Sequence, residues 1–510
     1  MSSARTVILI CVSLMLWELA DRSVPGNALI ASPTELATYV LNNAALLSRA
    51  SLETSINATL GFVLGNCAAV VLAVMITVFP RSERTLSILA LLVFCIPLIA
   101  SGPILRVLFG PGAGPQITLA ALAVYYTTLI ALLVGLRAVS QTWTDLMHIY
   151  GRGRMSTLIR VRARACLPYL FAGFQISAPA AFLGAMIGEF TGAERGLGVL
   201  TLRAMRGLET DATWTLAVLA AIISMAAYTW IGWMGHRIVG YAPVILLSAP
   251  TATKSQTRRA RMMEMGFIAA FVLILWHVSM DVFDLNRFFA KRPGDVWVFL
   301  ADAENRETLL SALLETLSFA APGYMAGLGL GAGLAALLVL SPALNRTAMP
   351  VAVALRAVPI ITTAPLLVLA FGRGMIGTTI VVAVMIFFPT FVACQQGLRQ
   401  TPGQIVDLFR TYSAGRWHLL RSAQFPSMLP ALFASARMAI PAALLAVTTV
   451  EWLATGKGIG VLMAMTASTS NYNMLWSCVA ILAVVAMVFY TAVASLERAV
   501  LRIYAPEQVL

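Results

Sequence analysis

Long apolar runs recur along the chain and are separated by shorter polar segments. Because a bilayer core needs about 20 consecutive apolar residues per helix, each run predicts one transmembrane helix. In the first half the runs lie near 6–20, 56–79, 86–108, 117–136, 166–189 and 213–235. In the second half they lie near 265–281, 318–341, 348–371, 376–396, 430–452 and 475–496. The pattern predicts an all-α integral membrane protein with about 12 transmembrane helices.

The two halves repeat each other at a constant offset of 262 residues. Matching pairs are Glu53 and Glu315, Pro97 and Pro359, Arg137 and Arg399, Asp145 and Asp407, Glu189 and Glu451, and Trp214 and Trp476. An even number of helices per half gives both halves the same orientation, as in parallel repeats about an axis along the membrane normal. We predict a first domain over 1–243, a linker over 244–264 and a second domain over 265–510.

Composition supports a membrane protein. The chain is 59% apolar and only 11% charged, whereas soluble domains carry about 25% charged residues. The net charge of +13 comes from arginines in short loops, which is typical of cytoplasmic loops and does not indicate nucleic-acid binding. Their distribution places both termini in the cytoplasm. The first run lacks an A-x-A-like cleavage site before "DRSVPG", so we interpret it as a retained helix and not a signal peptide.

The sequence contains no pattern typical of a metal site or a catalytic centre. Its six cysteines and four histidines are scattered singly, without the spacing of metal ligands. A phosphate-binding loop needs G-x-x-x-x-G-K-[ST], but the only Gly-Lys pair, Gly456 and Lys457, is followed by Gly458. We therefore expect no cofactor bound by this chain, and any ATP must bind another polypeptide.

The most basic segment is "IYGRGRMSTLIRVRARACLPYL" at 149–170, with arginines at 152, 154, 160, 162 and 164. A cytoplasmic loop explains positive charge without further function. The duplicate segment at 404–430 nevertheless keeps the equivalents of Asp145, Tyr150, Arg154 and Pro168. Both copies predict a helix, a turn of small residues and a second helix, a pattern that positive charge alone does not require.

Three segments of each half resemble motifs of a known protein family. The acid, small-residue turn, arginine and downstream Leu-Pro resemble the "EAA" loop of permeases of binding-protein-dependent ATP-binding cassette (ABC) importers. The segments "GEFTGAERGLGVL" (188–200) and "VEWLATGKGIGVL" (450–462) resemble the "AE…GLGYL" segment of the nitrate, sulfonate and taurine branch. In addition, "FCIPLIASGPILRVLFG" (94–110) and "RAVPIITTAPLLVLAFG" (356–372) are similar to the "RPIP…LPL…FG" helix of that branch. The resemblance covers nearly the whole chain, twice.

The resemblance implies two fused six-helix type I permease domains in a bacterial cytoplasmic membrane. It implies docking to two ATPase subunits, which bind ATP and Mg²⁺, and to a periplasmic or lipid-anchored substrate-binding protein. The cargo would be a small solute, either an anion such as a sulfonate or nitrate, or a vitamin precursor. The implied coupling residues are Asp145, Tyr150, Gly151, Arg154, Asp407, Tyr412, Ser413 and Arg416. Departures from the family are aspartates for its glutamate, "LM" and "LF" for its two alanines, and Ser413 for its turn glycine.

Candidate residues of the substrate path are Glu189, Glu451, Arg356, Pro359 and Pro365. The glutamates precede glycine-rich segments and either shape an outer gate or make a structural hydrogen bond to those segments. Arg356 lies in an apolar run, where its repeat position is Phe94. It either attracts an anion or extends its charge to the membrane surface.

Two other classes of membrane protein are alternatives to a permease. An ion-gradient-driven secondary transporter would also show two six-helix halves, but such coupling normally needs ionisable groups at mid-membrane. Apart from Arg356 and groups near helix ends, the sequence indicates few of them. A membrane-embedded enzyme would need a convergent acid, base or nucleophile set, which is not visible.

Overall fold

The structure is a computed structural model that describes residues 12, 15, 17–19, 21–22, 31–110, 112–207, 209–240, 258–341, 364, 367–368, 371–372 and 374–504. Within these residues every regular element is a helix, as the sequence predicts. In this described part of the chain, eight helices are long and apolar enough to cross a membrane, and a bent pair adds a ninth if it is counted as one span.

The helices of the first half follow the apolar runs and the loops between them. They are α1 (Pro33–Asn42), α2 (Ala44–Val78), α3 (Glu83–Cys95), α4 (Leu98–Phe109), α5 (Gly114–Arg137), α6 (Gln141–Ile149), α7 (Arg154–Phe190), α8 (Leu197–Arg206) and α9 (Thr210–Val239). Of these, α2, α5, α7 and α9 are single spans, and α3 with α4 forms the bent pair.

The second half repeats this order. Its helices are α10 (Arg258–Val282), α11 (Pro293–Ala301), α12 (Ala303–Leu340), α13 (Met375–Arg399), α14 (Gly403–Thr411), α15 (Arg416–Leu453), α16 (Ile459–Ser468) and α17 (Tyr472–Tyr504). Helices α12, α13, α15 and α17 are its single spans, equivalent to α2, α5, α7 and α9. The predicted runs at 6–20 and 348–371 lie mostly outside the described residues, and the run at 265–281 belongs to α10.

The third predicted run, 86–108, is not one straight helix, because α3 and α4 meet at a 90° bend. The break falls at Pro97, which lacks a backbone N–H for the helical hydrogen bond. The preceding residue, Ile96, is extended with φ −73° and ψ 121°, as is usual before proline. The apolar pattern of this run is continuous and does not indicate a bend, whereas Pro97 within it does.

Segments that the sequence predicts as outer loops contain further helices. Helices α1, α8, α11 and α16 lie within them, and α2 and α12 begin well before their apolar runs. Ser32 starts α1 with a capping box, in which its hydroxyl accepts from the Glu35 N–H and the Glu35 carboxylate accepts from the Ser32 N–H. These short helices place polar side chains and glycines against the ends of the spans.

Within each half the spans pack through small residues. Helix α2 packs on α5, and α12 packs on α13. A Cβ atom added to Gly61 would lie 2.3 Å from the Ala120 Cβ, and one added to Gly327 would lie 2.7 Å from the Ala383 carbonyl oxygen. Gly61 and Gly327 therefore allow the backbones of neighbouring helices to approach closely.

The two halves share a core. One apolar cluster joins Ile99 and Ile104 of α4 to Ile440 and Leu444 of α15 and Leu482 of α17. Both arms of the bent pair contact the spans of the other half. The bend thus places α3 and α4 at the boundary between the halves.

Candidate functional site

The first copy of the duplicated basic segment consists of α6, its turn and the start of α7. The helix ends at Ile149, and the N–H groups of Tyr150, Gly151 and Arg152 donate to carbonyls of the last helical turn at 2.9–3.1 Å. Gly151 has φ +66°, the left-handed conformation that commonly ends helices. This turn ends α6, and a new helix, α7, begins at Arg154.

The second copy has the same geometry with a different residue in the turn. The N–H groups of Tyr412, Ser413 and Ala414 repeat the three hydrogen bonds with the same distances. Ser413 has φ +53°, a conformation that is unfavourable for residues with a Cβ atom. The backbone of the turn is therefore kept, although the family's glycine is absent.

Both short helices present an exposed apolar face. The first face is formed by Trp143 and Leu146 of α6 and by Tyr150, which directly follows the helix. The second is formed by the equivalent residues, Ile405 and Leu408 of α14 and Tyr412 directly after it. The tyrosines are 72% and 78% exposed. No residue of α14 is buried. Exposed apolar faces that recur at equivalent positions in two repeats are typical of surfaces that dock a partner.

The two segments share an aspartate and an arginine at equivalent positions, but the contacts that these residues make are different. Asp145 and Arg154 are exposed, and Asp407 forms a 3.4 Å ion pair with Arg410 in its own helix. Arg416 is exposed, but its Nη1 donates to the Leu340 carbonyl oxygen at 3.3 Å. This contact joins the start of α15 to the C-terminal end of α12, where a cation is favourable.

At the opposite end of the spans, Glu189 holds the glycine-rich segment that follows it. Its Oε1 accepts from the Thr54 hydroxyl at 2.7 Å, and its Oε2 accepts from the Gly198 N–H at 2.6 Å. The Thr54 hydroxyl oxygen in turn accepts from the Leu197 N–H at 2.9 Å. The carboxylate is buried, and these bonds tie α2, α7 and α8 together.

The second half repeats this arrangement at the same offset. Glu451 Oε2 accepts from the Thr316 hydroxyl at 3.0 Å and from the Gly460 N–H at 2.8 Å. The Ile459 N–H donates to the Thr316 hydroxyl oxygen at 2.9 Å. Glu451 Oε1 makes no hydrogen bond with any described atom. Both glutamates thus have the geometry of the structural alternative, a hydrogen bond to the glycine-rich segment.

The glycines of these segments are required by the carboxylates beside them. Gly196 has φ +128° and Gly458 has φ +89°. A Cβ atom would lie 2.2 Å from the Glu189 Cδ in the first case and 2.2 Å from the Glu451 Oε1 in the second. Only glycine combines this backbone conformation with this approach.

Sequence reasoning missed two features. The first is the pair Thr54 and Thr316, whose shared offset could have identified them. The second is a buried ion pair, in which Arg437 Nη1 of α15 lies 2.8 Å from Glu497 Oε2 of α17. Arg437 lies inside a predicted apolar run, so the expectation of few ionisable groups within the membrane was incomplete.

The remaining candidates of the path, Arg356, Pro359 and Pro365, lie outside the described residues. In the part of the chain that the structure describes, no three His, Cys, Asp or Glu side chains lie close enough to hold a metal ion. The described residues therefore form two exposed apolar faces at one end of the spans and two glutamate networks at the other.

The chain matches a known protein family in both of its halves. The profile of the family described as "Binding-protein-dependent transport system inner membrane component" matches residues 65–240 and again residues 327–502. The two matches are displaced by the same 262 residues that relate the halves, and together they cover more than half of the chain. The chain belongs to this family. It is thus a tandem ABC permease, a multi-pass membrane protein that contains the domain twice.

Relatives of this permease have about half its length. It is 27% identical over 237 residues to the "Probable ABC transporter permease protein" of Haemophilus influenzae, covering 46% of this chain and 96% of the relative. It is 25% identical over 231 residues to the "Formylaminopyrimidine transport permease protein ThiX" of Halalkalibacterium halodurans, covering 45% and 91%. It is 23% identical over 236 residues to the "Putative aliphatic sulfonates transport permease protein SsuC" of Bacillus subtilis, covering 46% and 85%. The permease is accordingly similar to transport subunits for small solutes.

Proposed function

We propose that this permease forms the complete translocation pathway of an ATP-driven importer. In this proposal its domains are 1–243 and 265–510, joined by the linker 244–264, and both termini are cytoplasmic in a bacterial inner membrane. Helices α6 and α14 are the coupling helices, each docking on one of two separate ABC ATPase subunits that bind ATP and Mg²⁺. A periplasmic or lipid-anchored substrate-binding protein docks on the opposite side.

One observation carries the proposal. The exposed apolar triads Trp143, Leu146 and Tyr150 and Ile405, Leu408 and Tyr412 occupy equivalent positions in the two halves. Apolar side chains of this size gain about 1.5–3 kcal/mol each on complete burial. A partner with two similar grooves would bury both faces at once, as a pair of ATPase subunits does.

In our proposal the cargo is a small solute, either an anion such as a sulfonate or nitrate, or a vitamin precursor. The similarity to the permeases named for aliphatic sulfonates and for formylaminopyrimidine supports a small organic solute. In our proposal Glu189 and Glu451 hold the glycine-rich segments that shape the outer gate. Arg356, together with Pro359 and Pro365, belongs to the substrate path in this proposal, and its charge attracts an anionic cargo. Asp145, Gly151, Arg154, Asp407, Ser413 and Arg416 orient the coupling helices and pair with charges of the ATPase subunits.

The test uses the double variant Leu146→Asp and Leu408→Asp, purified together with the ABC ATPase of its transport system. Both leucines are exposed, so the permease should keep its fold while ATPase binding and binding-protein-stimulated hydrolysis fall at least about tenfold. The matched control is Thr142→Ala with Gln404→Ala, exposed polar positions of the same two helices. Wild-type binding and stimulation in the aspartate variant would contradict the proposal.

A further inference from the structure

The ion pair between Arg437 and Glu497 lies inside the second half. Arg437 is 9% exposed and lies halfway along the 26-residue helix Phe425–Val450, while Glu497 is 8% exposed. Charged side chains within transmembrane helices are costly, and they commonly mark the path of a transported solute. A buried ion pair by itself contributes little to stability, because desolvation of the two charges offsets their attraction.

The first half provides an internal control for this pair. Its equivalent positions are Gln175 in α7 and Gly235 in α9. Helices α7 and α9 nevertheless pack against each other as α15 and α17 do. The packing of these two helices therefore does not require an ion pair, and the charges serve a purpose specific to the second half.

The pair also lies at the boundary between the halves. The Arg437 guanidinium carbon is 5.8 Å from the ring centroid of Tyr490, and the Tyr490 side chain interacts with Tyr126 of the first half. The Tyr126 ring stacks on Phe94 at 4.4 Å. Met438, next to Arg437, packs against the apolar cluster of the first half that contains Tyr126. In transporters built from two repeats, solutes bind near the bilayer midplane at the repeat interface.

The Arg437 guanidinium has an N–H group that forms no hydrogen bond with any described atom. Its Nη1 contacts Glu497, but its Nε is buried and makes no hydrogen bond with any described atom. A guanidinium has five N–H donors in a fork that matches the two oxygens of an oxoanion. We propose that Arg437 binds an oxoanion group of the cargo, of the sulfonate or carboxylate type, and that Glu497 occupies the guanidinium when cargo is absent. This inference rests on the proposed transport function.

The proposal predicts opposite effects for the two charged residues. Removing the guanidinium removes the donors and should weaken anion binding. Removing the Glu497 charge removes the competitor and leaves the positive charge of Arg437 unbalanced, so anion binding should become tighter. A purely structural pair would give no tighter binding in either variant.

The experiment measures binding by calorimetry to the full chain in phosphatidylcholine nanodiscs, without ATPase or ATP. The probes are ethanesulfonate, propionate and the uncharged ethyl methyl sulfone. We expect saturable binding of at least one anion and none of the sulfone, with the two anions distinguishing a sulfonate from a carboxylate preference. Arg437→Gln should weaken binding at least tenfold, Glu497→Gln should strengthen it, and the matched control Gln175→Ala should leave it unchanged.

A second variant guards against misfolding. Arg437→Gln introduces the residue of the first half, and the double variant Arg437→Gln with Glu497→Gln leaves no charge unpaired, so it should fold and still lack tight anion binding. Anion binding of wild-type strength in either variant, equal binding of the sulfone, or no saturable anion binding by both wild type and Glu497→Gln would overturn the proposal. Because these measurements contain no ATPase, their failure is distinct from a failure of the coupling helices to dock.

Discussion

Ser413 occupies the left-handed backbone position that Gly151 occupies in the other half, with φ +53° and φ +66° respectively. The hydrogen bonds around the two residues are the same, so the turn is set by its surroundings and not by the residue at its centre. The serine carries the steric cost of a Cβ atom in this conformation, which is about 1–2 kcal/mol.

Replacing Ser413 with glycine should therefore stabilise the second turn. Relief of the steric cost is partly offset by the greater freedom of glycine in the unfolded chain, which leaves a gain of up to about 1 kcal/mol. Thermal unfolding of the purified variant would measure it. The control is Gly415→Ala, where φ is −63° and no heavy atom lies within 4 Å of the added Cβ, so no loss of stability is expected from strain. A lower unfolding temperature for Ser413→Gly would contradict this explanation.

The threonine that joins α12 to α16 should be important for stability. Thr316→Val removes the hydroxyl between Glu451 and the Ile459 N–H while keeping the side-chain shape. A buried donor left without a partner costs about 1–3 kcal/mol, so the unfolding temperature should fall. Thr308→Val, an exposed position of the same helix, is the matched control. Equal unfolding temperatures for both variants would show that the network contributes nothing.

The two glycines beside the glutamates should tolerate no side chain. Gly196→Ala and Gly458→Ala each force a Cβ atom against a buried carboxylate in a positive-φ conformation, and each should lower stability by more than 1–2 kcal/mol, roughly the conformational cost alone. Gly333→Ala, in a helix where nothing lies within 4 Å of the added Cβ, should be neutral or slightly stabilising. Similar unfolding temperatures for all three would contradict the assigned role of the glycine segments.

Much of this fold could be predicted from the sequence. The apolar runs located the spans because a helix must be about 20 residues long to cross the hydrocarbon core. The 262-residue offset allowed each span predicted in one half to be compared with its equivalent in the other half. The bend at Pro97 was missed, since a run of apolar residues has the same composition whether it is straight or folded back. The short outer helices were missed because their polar residues are also typical of loops.

The candidate site was only partly predictable. Asp145, Tyr150 and Arg154 could be located because the second half has the same residues at the 262-residue offset. No local pattern indicates the partner of Glu189, because Thr54 lies 135 residues away in the sequence. The match of Thr54 with Thr316 at the repeat offset was the signal that could have identified it. Arg437 was visible as a charge within an apolar run, but its pairing with Glu497 depends on how α15 meets α17, which no local pattern gives.

The most direct test of the central claim is solute uptake into proteoliposomes, with the chain alone or together with its ABC ATPase and loaded binding protein. We predict ATP-dependent uptake by the complete system and none by the chain alone, even with an imposed proton or sodium gradient. We also predict that Leu146→Asp with Leu408→Asp abolishes uptake while Thr142→Ala with Gln404→Ala preserves it. Gradient-driven uptake by the chain alone, or full ATP-dependent uptake by the aspartate variant, would contradict the account.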